Sequence, residues 1–390
     1  MKQLIIWTVV TLMVFITLLI YGLEQQNSQI DTVTARDLHN ISNRLQKDSP
    51  QTSITLNAVG DILMHERVYR GAEQQGEYVF TPMLEPVMPH LQEADITFAN
   101  QETMLAGETI GLSGYPRFNA PSSVADALSA APVDIVSIAN NHTLDHGREA
   151  VMQTTELLND HEIDYVGAYR SYDDQQSLRV IEQNGISVGF TGYTYGTNGL
   201  RRPDGDDYLV QYMRDGTMVD DIQQMKDEVD FTVVSLHFGN EYEPFPTEEQ
   251  RQLVQKLTEA GADIILGHHP HVLQPVDIVK TDHHESVVIY SLGNFLSGQM
   301  GLERRIGGVL QLELTKGLIR PSETSSVTNI QLMPTFVEFE QNGNVLNNVS
   351  VVPLANSSLP DADTIFDDTM THMQTYTNQL DVVPKWVQVQ

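Results

Sequence analysis

Asp263-Ile264-Ile265-Leu266-Gly267-His268-His269-Pro270-His271 carries an apolar, β-branched run directly into three imidazoles. The run reads as a short buried strand. Three imidazoles within four residues would repel one another if all were charged, and metal binding is the common reason to concentrate them. The same arrangement recurs upstream. Residues 230–236 read as a strand that delivers His237, and 133–139 as one that delivers Asn140-Asn141-His142. Residues 53–60 and 94–99 read as strands ending at Asp61 and at Asn100-Gln101-Glu102. Each stretch has an ordinary reading alone: a strand-end Asp as a turn or N-cap residue, Asn-His as a polar turn, His237 as a buried neutral imidazole. Together, strands that present His, Asn, Asp and Glu at their C-terminal ends suit a metal-dependent site on an α/β scaffold.

Between these strands runs an α/β rhythm. Residues 122–131 read as a helix capped by Ser122 or Ser123, 148–161 as an amphipathic helix, and 247–260 as a helix opened by a Thr247/Gln250 capping box. Asn184-Gly185 between two apolar runs predicts a hairpin. Residues 199–217 read as a loop, and 286–290, 308–313 and 329–340 as strands. After about residue 345 the sequence is polar and weakly periodic, with a terminal helix near 362–380. The expected organisation is a membrane anchor at 1–23, a stalk at 24–52, a mixed α/β domain at 53–316 and a β-rich, irregular C-terminal extension at 317–390.

The chain of 390 residues contains no cysteine, which excludes disulfides, iron–sulfur clusters, cysteine nucleophiles and thiolate zinc sites. Any metal must use oxygen and imidazole ligands, which suits Mn, Fe, Zn, Mg or Ca. A formal charge of −30 repels polyanions, so nucleic acid is not an expected partner. Residues 4–23 form an uncharged apolar run long enough to cross a ~30 Å hydrocarbon core. Lys2 before that run predicts a cytoplasmic N-terminus, a single membrane pass and an extracellular main domain. A cleaved signal peptide is the competing reading, but Tyr21-Gly22-Leu23-Glu24 offers no small-x-small cleavage site.

The ordered set Gly60-Asp61, Asn100-Gln101-Glu102, Asn140-Asn141-His142-x-x-Asp145, His237-Phe238-Gly239-Asn240-Glu241-Tyr242, Gly267-His268-His269-Pro270-His271 and Tyr290-Ser291-Leu292-Gly293-Asn294-Phe295 resembles the CapA family. Its best-known members are the membrane-anchored subunit of bacterial poly-γ-glutamate capsule synthesis. The resemblance implies a four-layer α-β-β-α sandwich like that of calcineurin-like metallophosphoesterases, with one or two divalent ions, Mn, Fe or Zn. Carried over residue by residue, it implies metal ligands at Asp61, Glu102, Asn141, His237, His269 and His271, and a catalytic His142. His268 with His271 stays open as the pair. Arg117, Asn140, Glu241 and His268 are implied as substrate contacts, although Arg117 also fits a structural Pro-bounded loop.

One departure bears on activity. The phosphoesterase first motif is Asp-x-His, whereas Leu63 follows Asp61-Ile62, with His65 two residues on. The implied function is a membrane-anchored, extracytoplasmic part in poly-γ-glutamate synthesis or export, alongside membrane-embedded and cytosolic capsule-synthesis subunits. Its ligand would be an anionic polymer or a phosphoester. The alternatives are a stand-alone phosphoesterase on an envelope substrate and a non-catalytic scaffold that retains the fold.

Overall fold

A computed structural model describes residues 51–318 and 325–384. The expected membrane span at 4–23 lies outside the described residues, as does the expected stalk apart from Gln51 and Thr52, which belong to the first strand. Among the described residues, no helix is long and apolar enough to cross a membrane.

Two sheets form in one pass out and back. The chain lays down β1 (Gln51–Leu63), β2 (Ile96–Gln101), β3 (Ile135–Ser137) and β4 (Asp164–Val166) in the first sheet. It builds the second from β5 (Arg179–Gln183), β6 (Ile186–Thr194), β7 (Phe231–His237), β8 (Ile264–His268), β9 (Leu273–Lys280) and β10 (Glu285–Leu292). It then returns to the first with β11 (Asn294–Ser297), β12 (Ile306–Gly317), β13 (Ser326–Asn342) and β14 (Val345–Pro353). The first sheet runs β14-β13-β12-β1-β2-β3-β4, with β11 also on β1; the second runs β9-β10-β8-β7-β6-β5. In each sheet the site-bearing strands pair in parallel, so their C-terminal ends share one edge.

The sheets pack face to face. Leu56, Phe98 and Ile135 of the first meet Val188, Phe190, Val233 and Leu266 of the second, and the Phe98 and Phe190 rings stack at 6.2 Å. Outside the first sheet lie α1 (Glu66–Ala72), α2 (Val124–Ala130) and α3 (Gly147–Asp160), whose Val68, Leu128 and Val151 are buried. Outside the second lie α4 (Met218–Lys226) and α5 (Glu248–Ala260), with Ile222, Val254 and Leu257 against Val234, Ile265 and Val288. The layer order is α-β-β-α. Continuous apolar strands follow from this burial on both faces, since parallel strands covered by helices have no solvated side to alternate toward.

At the opposite strand ends, aspartates tie neighbouring strands together. Asp95, Asp134, Asp230 and Asp263 each accept a backbone N–H from the adjacent strand, at Thr55, Thr97, Ser187 and Thr232, over 2.6–2.9 Å. These bonds satisfy edge donors that the ladder leaves open.

The hairpin forms as expected, with Asn184 and Gly185 at φ 51° and 76°. So does the capping box: Thr247 accepts from the Gln250 N–H, and Gln250 Oε1 accepts from the Thr247 N–H. Ser123 is the N-cap residue of α2, but its side chain makes no cap bond. Two expectations need correction. β1 does not end at Gly60: parallel pairing of Asp61 with Asn294 carries it to Leu63. The chain after 345 is not irregular at once, because β14 pairs with β13; the helix expected near 362–380 is α6 (Ala362–Met373).

Candidate metal centre

Asp61, Glu102, Asn141, His237, His269 and His271 converge at the shared strand edge, and all are buried. β1 brings Asp61 and β7 brings His237; Glu102 follows β2 directly, and Asn141 sits in the turn after β3. The turn after β8 supplies the other imidazoles. His269 and His271 adopt φ 97° and 58°, a left-handed conformation that non-glycine residues occupy at a cost of order 1–3 kcal/mol. That strained turn is the local feature that carries both rings to Glu102.

Glu102 is the hub. One ligand atom from each of Glu102, His269 and His271 lies within 4.8 Å of the others, and the same holds for Asp61, Glu102 and His237. Oε1 of Glu102 is 3.7 Å from both His237 Nε2 and His271 Nε2. Asn141 Oδ1 lies 3.0 Å from His237 Nε2. His271 donates from Nδ1 to Asp61 Oδ2 at 3.0 Å, with Asn294 Oδ1 at 3.2 Å, so its Nε2 is the atom turned toward Glu102. Anchoring one ring nitrogen of a histidine in this way fixes the tautomer that a metal ligand needs.

The charges are arranged in opposition. Burial alone raises Asp61, but the imidazoles of His268 and His271 outweigh it and hold the carboxyl well below its usual range. Glu102 is pushed well above its range by burial, helped by the charge of Asp61 and opposed by His271. His271 is raised to about 9 because the Glu102 charge and the Asp61 hydrogen bond overcome its burial. Burial and the charge of His271 bring His269 down to about 3, and burial and His269 lower His237 well below its ordinary value. Neutral imidazoles and carboxylates are the forms that coordinate metal.

The polar atoms also fit a cation. Both oxygens of Glu102, Nδ1 of His237 and Nδ1 of His269 are buried with no hydrogen-bond partner. A buried carboxylate without a partner costs several kcal/mol unless a cation or a proton accompanies it. Glu102 belongs to both ligand groups, so one carboxylate links the two sets of residues that would hold metal.

Next to this cluster opens a cleft of about 480 Å3, lined by Leu63, His65, Arg117, His142, Glu241 and His271 among others. His142 Nδ1 is 2.7 Å from Asp145 Oδ2, which leaves Nε2 for the cleft. The Phe118 ring packs edge-on against His142 at 4.6 Å and His65 at 5.3 Å. Arg117 and Glu241 are exposed at the rim. Asn140 is placed differently: its amide donates to Gln101 O and its Oδ1 accepts the His142 N–H, so it orders the turn and does not line the cleft. His268 is buried beside Phe98, with Nδ1 3.4 Å from Asp61 Oδ1. Leu63 does line the cleft, as does His65, whose Nδ1 lies 3.0 Å from Leu63 O.

Several further residues take part in the centre. Asn294 orients His271, and Asn100 donates to Asp61 Oδ1 at 2.7 Å. Tyr195 lies over His269 at 4.8 Å. Asn294 and Asp145 sit in stretches already singled out, and the His142-x-x-Asp145 spacing was the available signal for the latter.

The family model described as "Bacterial capsule synthesis protein PGA_cap" matches residues 55–299. The chain is 29% identical to the capsule biosynthesis protein CapA of Bacillus anthracis over 281 residues, 69% of this chain and 66% of that protein. It is 28% identical to the PGA biosynthesis protein CapA of Bacillus subtilis (strain 168) over 273 residues, 67% of this chain and 68% of that one. The chain thus spans about two thirds of the length of these relatives. Among solved structures it is similar to the NAD nucleotidase of Haemophilus influenzae, with 12% identity and a TM-score of 0.46 over 86% of this chain and 58% of that one.

Proposed function

The chain belongs to the bacterial capsule synthesis protein family, and on that premise we propose that it takes part in the synthesis or export of poly-γ-glutamate. In this reading residues 4–23 anchor it in the membrane, the main domain faces outward, and membrane-embedded and cytosolic subunits are its partners. The observation that carries the metal-dependent part is Glu102, a buried carboxylate with both oxygens unpartnered among three imidazoles. Asp61, Glu102, Asn141, His237, His269 and His271 are the residues that would hold Mn, Fe or Zn.

A divalent ion bound there supplies Lewis acidity toward an anionic oxygen and lowers the pKa of bound water. The rest belongs to the chain. His142, fixed through Nδ1 by Asp145, holds a proton at Nε2 for a departing oxygen. Arg117 at the rim pairs with an anionic group, and Phe118 keeps water from the inner side of His142.

The His142–Asp145 pair favours a second reading, a stand-alone phosphoesterase. Leu63, at the position of the Asp-x-His ligand, favours a site that holds an anionic polymer without turning it over. Elemental analysis of the purified full chain, followed by turnover of model phosphoesters, separates these. Bound metal with turnover that Asn141→Ala and His269→Ala abolish supports a hydrolase; bound metal without turnover supports a holding site. A poly-γ-glutamate producer that keeps its surface polymer after deletion of this gene sinks the capsule reading.

A further inference from the structure

A second cavity of about 420 Å3 lies beside the metal cleft, and the two share a wall made of Tyr115, Pro116 and Arg117. The outer cavity is bounded on its other sides by Glu66 and Tyr69 of α1, by Leu112 and Ser113, and by His146. We propose that it is a second subsite, so that the ligand is an extended anionic chain which crosses the Tyr115–Arg117 ridge with one unit in each cavity. This rests on the polymer reading above and specifies it.

Three observations favour an anionic chain over a compact ligand. The Arg117 side chain is exposed on the ridge and has no ion-pair partner among the described residues, so one guanidinium faces both cavities. The only carboxylate lining the outer cavity, Glu66, is paired with Arg70, which leaves no net negative charge to oppose an anion there. Tyr115 is 83% exposed on top of the ridge, where its ring offers a flat surface for a chain passing over it.

The ridge is built firmly. Ser113 Oγ donates to Arg117 O at 2.7 Å and lies 2.9 Å from His146 Nε2. Asp145 accepts the Phe118 N–H at 2.7 Å, and Tyr115 leans on Phe118 at 6.4 Å between ring centres. Whatever crosses the ridge is therefore held in fixed relation to His142, which shares Asp145 with it.

The test is binding of γ-linked glutamate fragments of defined length, from two to about ten residues, to the metal-loaded full chain. Affinity should rise about tenfold or more as fragments become long enough to reach the second cavity, and then level off. Glu66→Trp, which fills the outer cavity from a half-buried position on the first turn of α1, should remove that gain while short fragments bind as before. Tyr115→Ala should reduce the gain as well. Unchanged metal content and thermal melting in both variants establish that they fold. One affinity for all lengths, or a length-dependent gain that survives Glu66→Trp, overturns the second subsite alone. No binding of any fragment by the fully metal-loaded chain overturns the polymer reading with it.

Discussion

His142 Nδ1 stands 2.7 Å from Asp145 Oδ2 in a buried pair, and that same oxygen accepts the Phe118 N–H. One carboxylate atom thus orients the proton-bearing imidazole and also fixes the cleft wall carrying Arg117. Asp145→Asn preserves the shape and removes the carboxylate that orients the ring through Nδ1. In manganese-loaded protein, turnover of a model phosphoester should fall roughly 10²–10⁴-fold with metal content unchanged. Loss of metal in step with activity would instead place Asp145 among the groups that hold the ion.

Glu102 sets the linkage between metal and stability. With its oxygens unpartnered, burial holds its carboxyl well above the usual range, so the chain without an ion favours its neutral form. Glu102→Gln should therefore leave the stability of the metal-free chain nearly unchanged. The wild-type chain should gain about 2.7 kcal/mol at a hundredfold excess of metal over Kd, and the variant should gain none. Denaturant melts with and without metal read both quantities.

The same protons make metal uptake depend on pH. His271, raised to about 9, must lose a proton to become a ligand, and the raised Glu102 favours its neutral form without an ion, whereas Asp61, His237 and His269 are lowered and already in ligand form at neutral pH. Metal affinity should rise with pH up to about 9, by up to roughly tenfold per unit for each proton displaced. Calorimetry in buffers of different ionisation enthalpy should find one to two protons released; none released would refute the assignment. Without metal the sign reverses. His271 is raised from 6.5 to about 9, so its stabilisation is complete below 6.5 and is lost as the pH rises through about 9.

Away from the site, Asp263 offers a test of the strand ties. Its Oδ2 accepts both the N–H and the hydroxyl of Thr232, at 2.7 and 2.9 Å. Asp263→Ala leaves the buried Thr232 N–H open, while the Thr232 hydroxyl keeps Gly261 O as its acceptor at 2.9 Å, and the change should cost about 1–3 kcal/mol in a denaturant melt. Metal content should not change, because the residue sits at the far end of β8 from His268.

Much of this arrangement is legible in the chain because buried parallel strands read as unbroken apolar runs, and the polar residue that follows each run marks the active edge. Asp61, Glu102, His237 and the 267–271 stretch are found that way, and α5 from its Thr247/Gln250 box. What is not legible depends on distant partners. The choice that places His269 beside Glu102 and His268 beside Asp61 is made by positive φ angles that no spacing encodes. The bond from Asp145 to Phe118 joins segments 27 residues apart and fixes a loop that by composition is merely Pro-bounded. The last three residues of β1 form because β11 returns to them from the other end of the domain.

That return makes Gly60 the most exacting position near the site. A Cβ there would lie 2.0 Å from Gly293 O, the atom that accepts the Asp61 N–H at 2.9 Å. Nothing nearby can yield, since both neighbours are backbone, so Gly60→Ala must part β1 from the Gly293–Asn294 segment. Asp61 and Asn294 are the two groups that hold His271 Nδ1, and they sit on either side of that seam. The substitution should cost about 1–3 kcal/mol by overpacking, and it should weaken metal binding as well because His271 loses its orientation. Gly343→Ala is the control: its φ of 61° strains an alanine, which the backbone of Gly60 does not, but no atom lies within 4 Å of the added methyl. A Gly60→Ala chain that is destabilised no more than this control and binds metal as tightly as wild type would show that the seam does not set the geometry of the site.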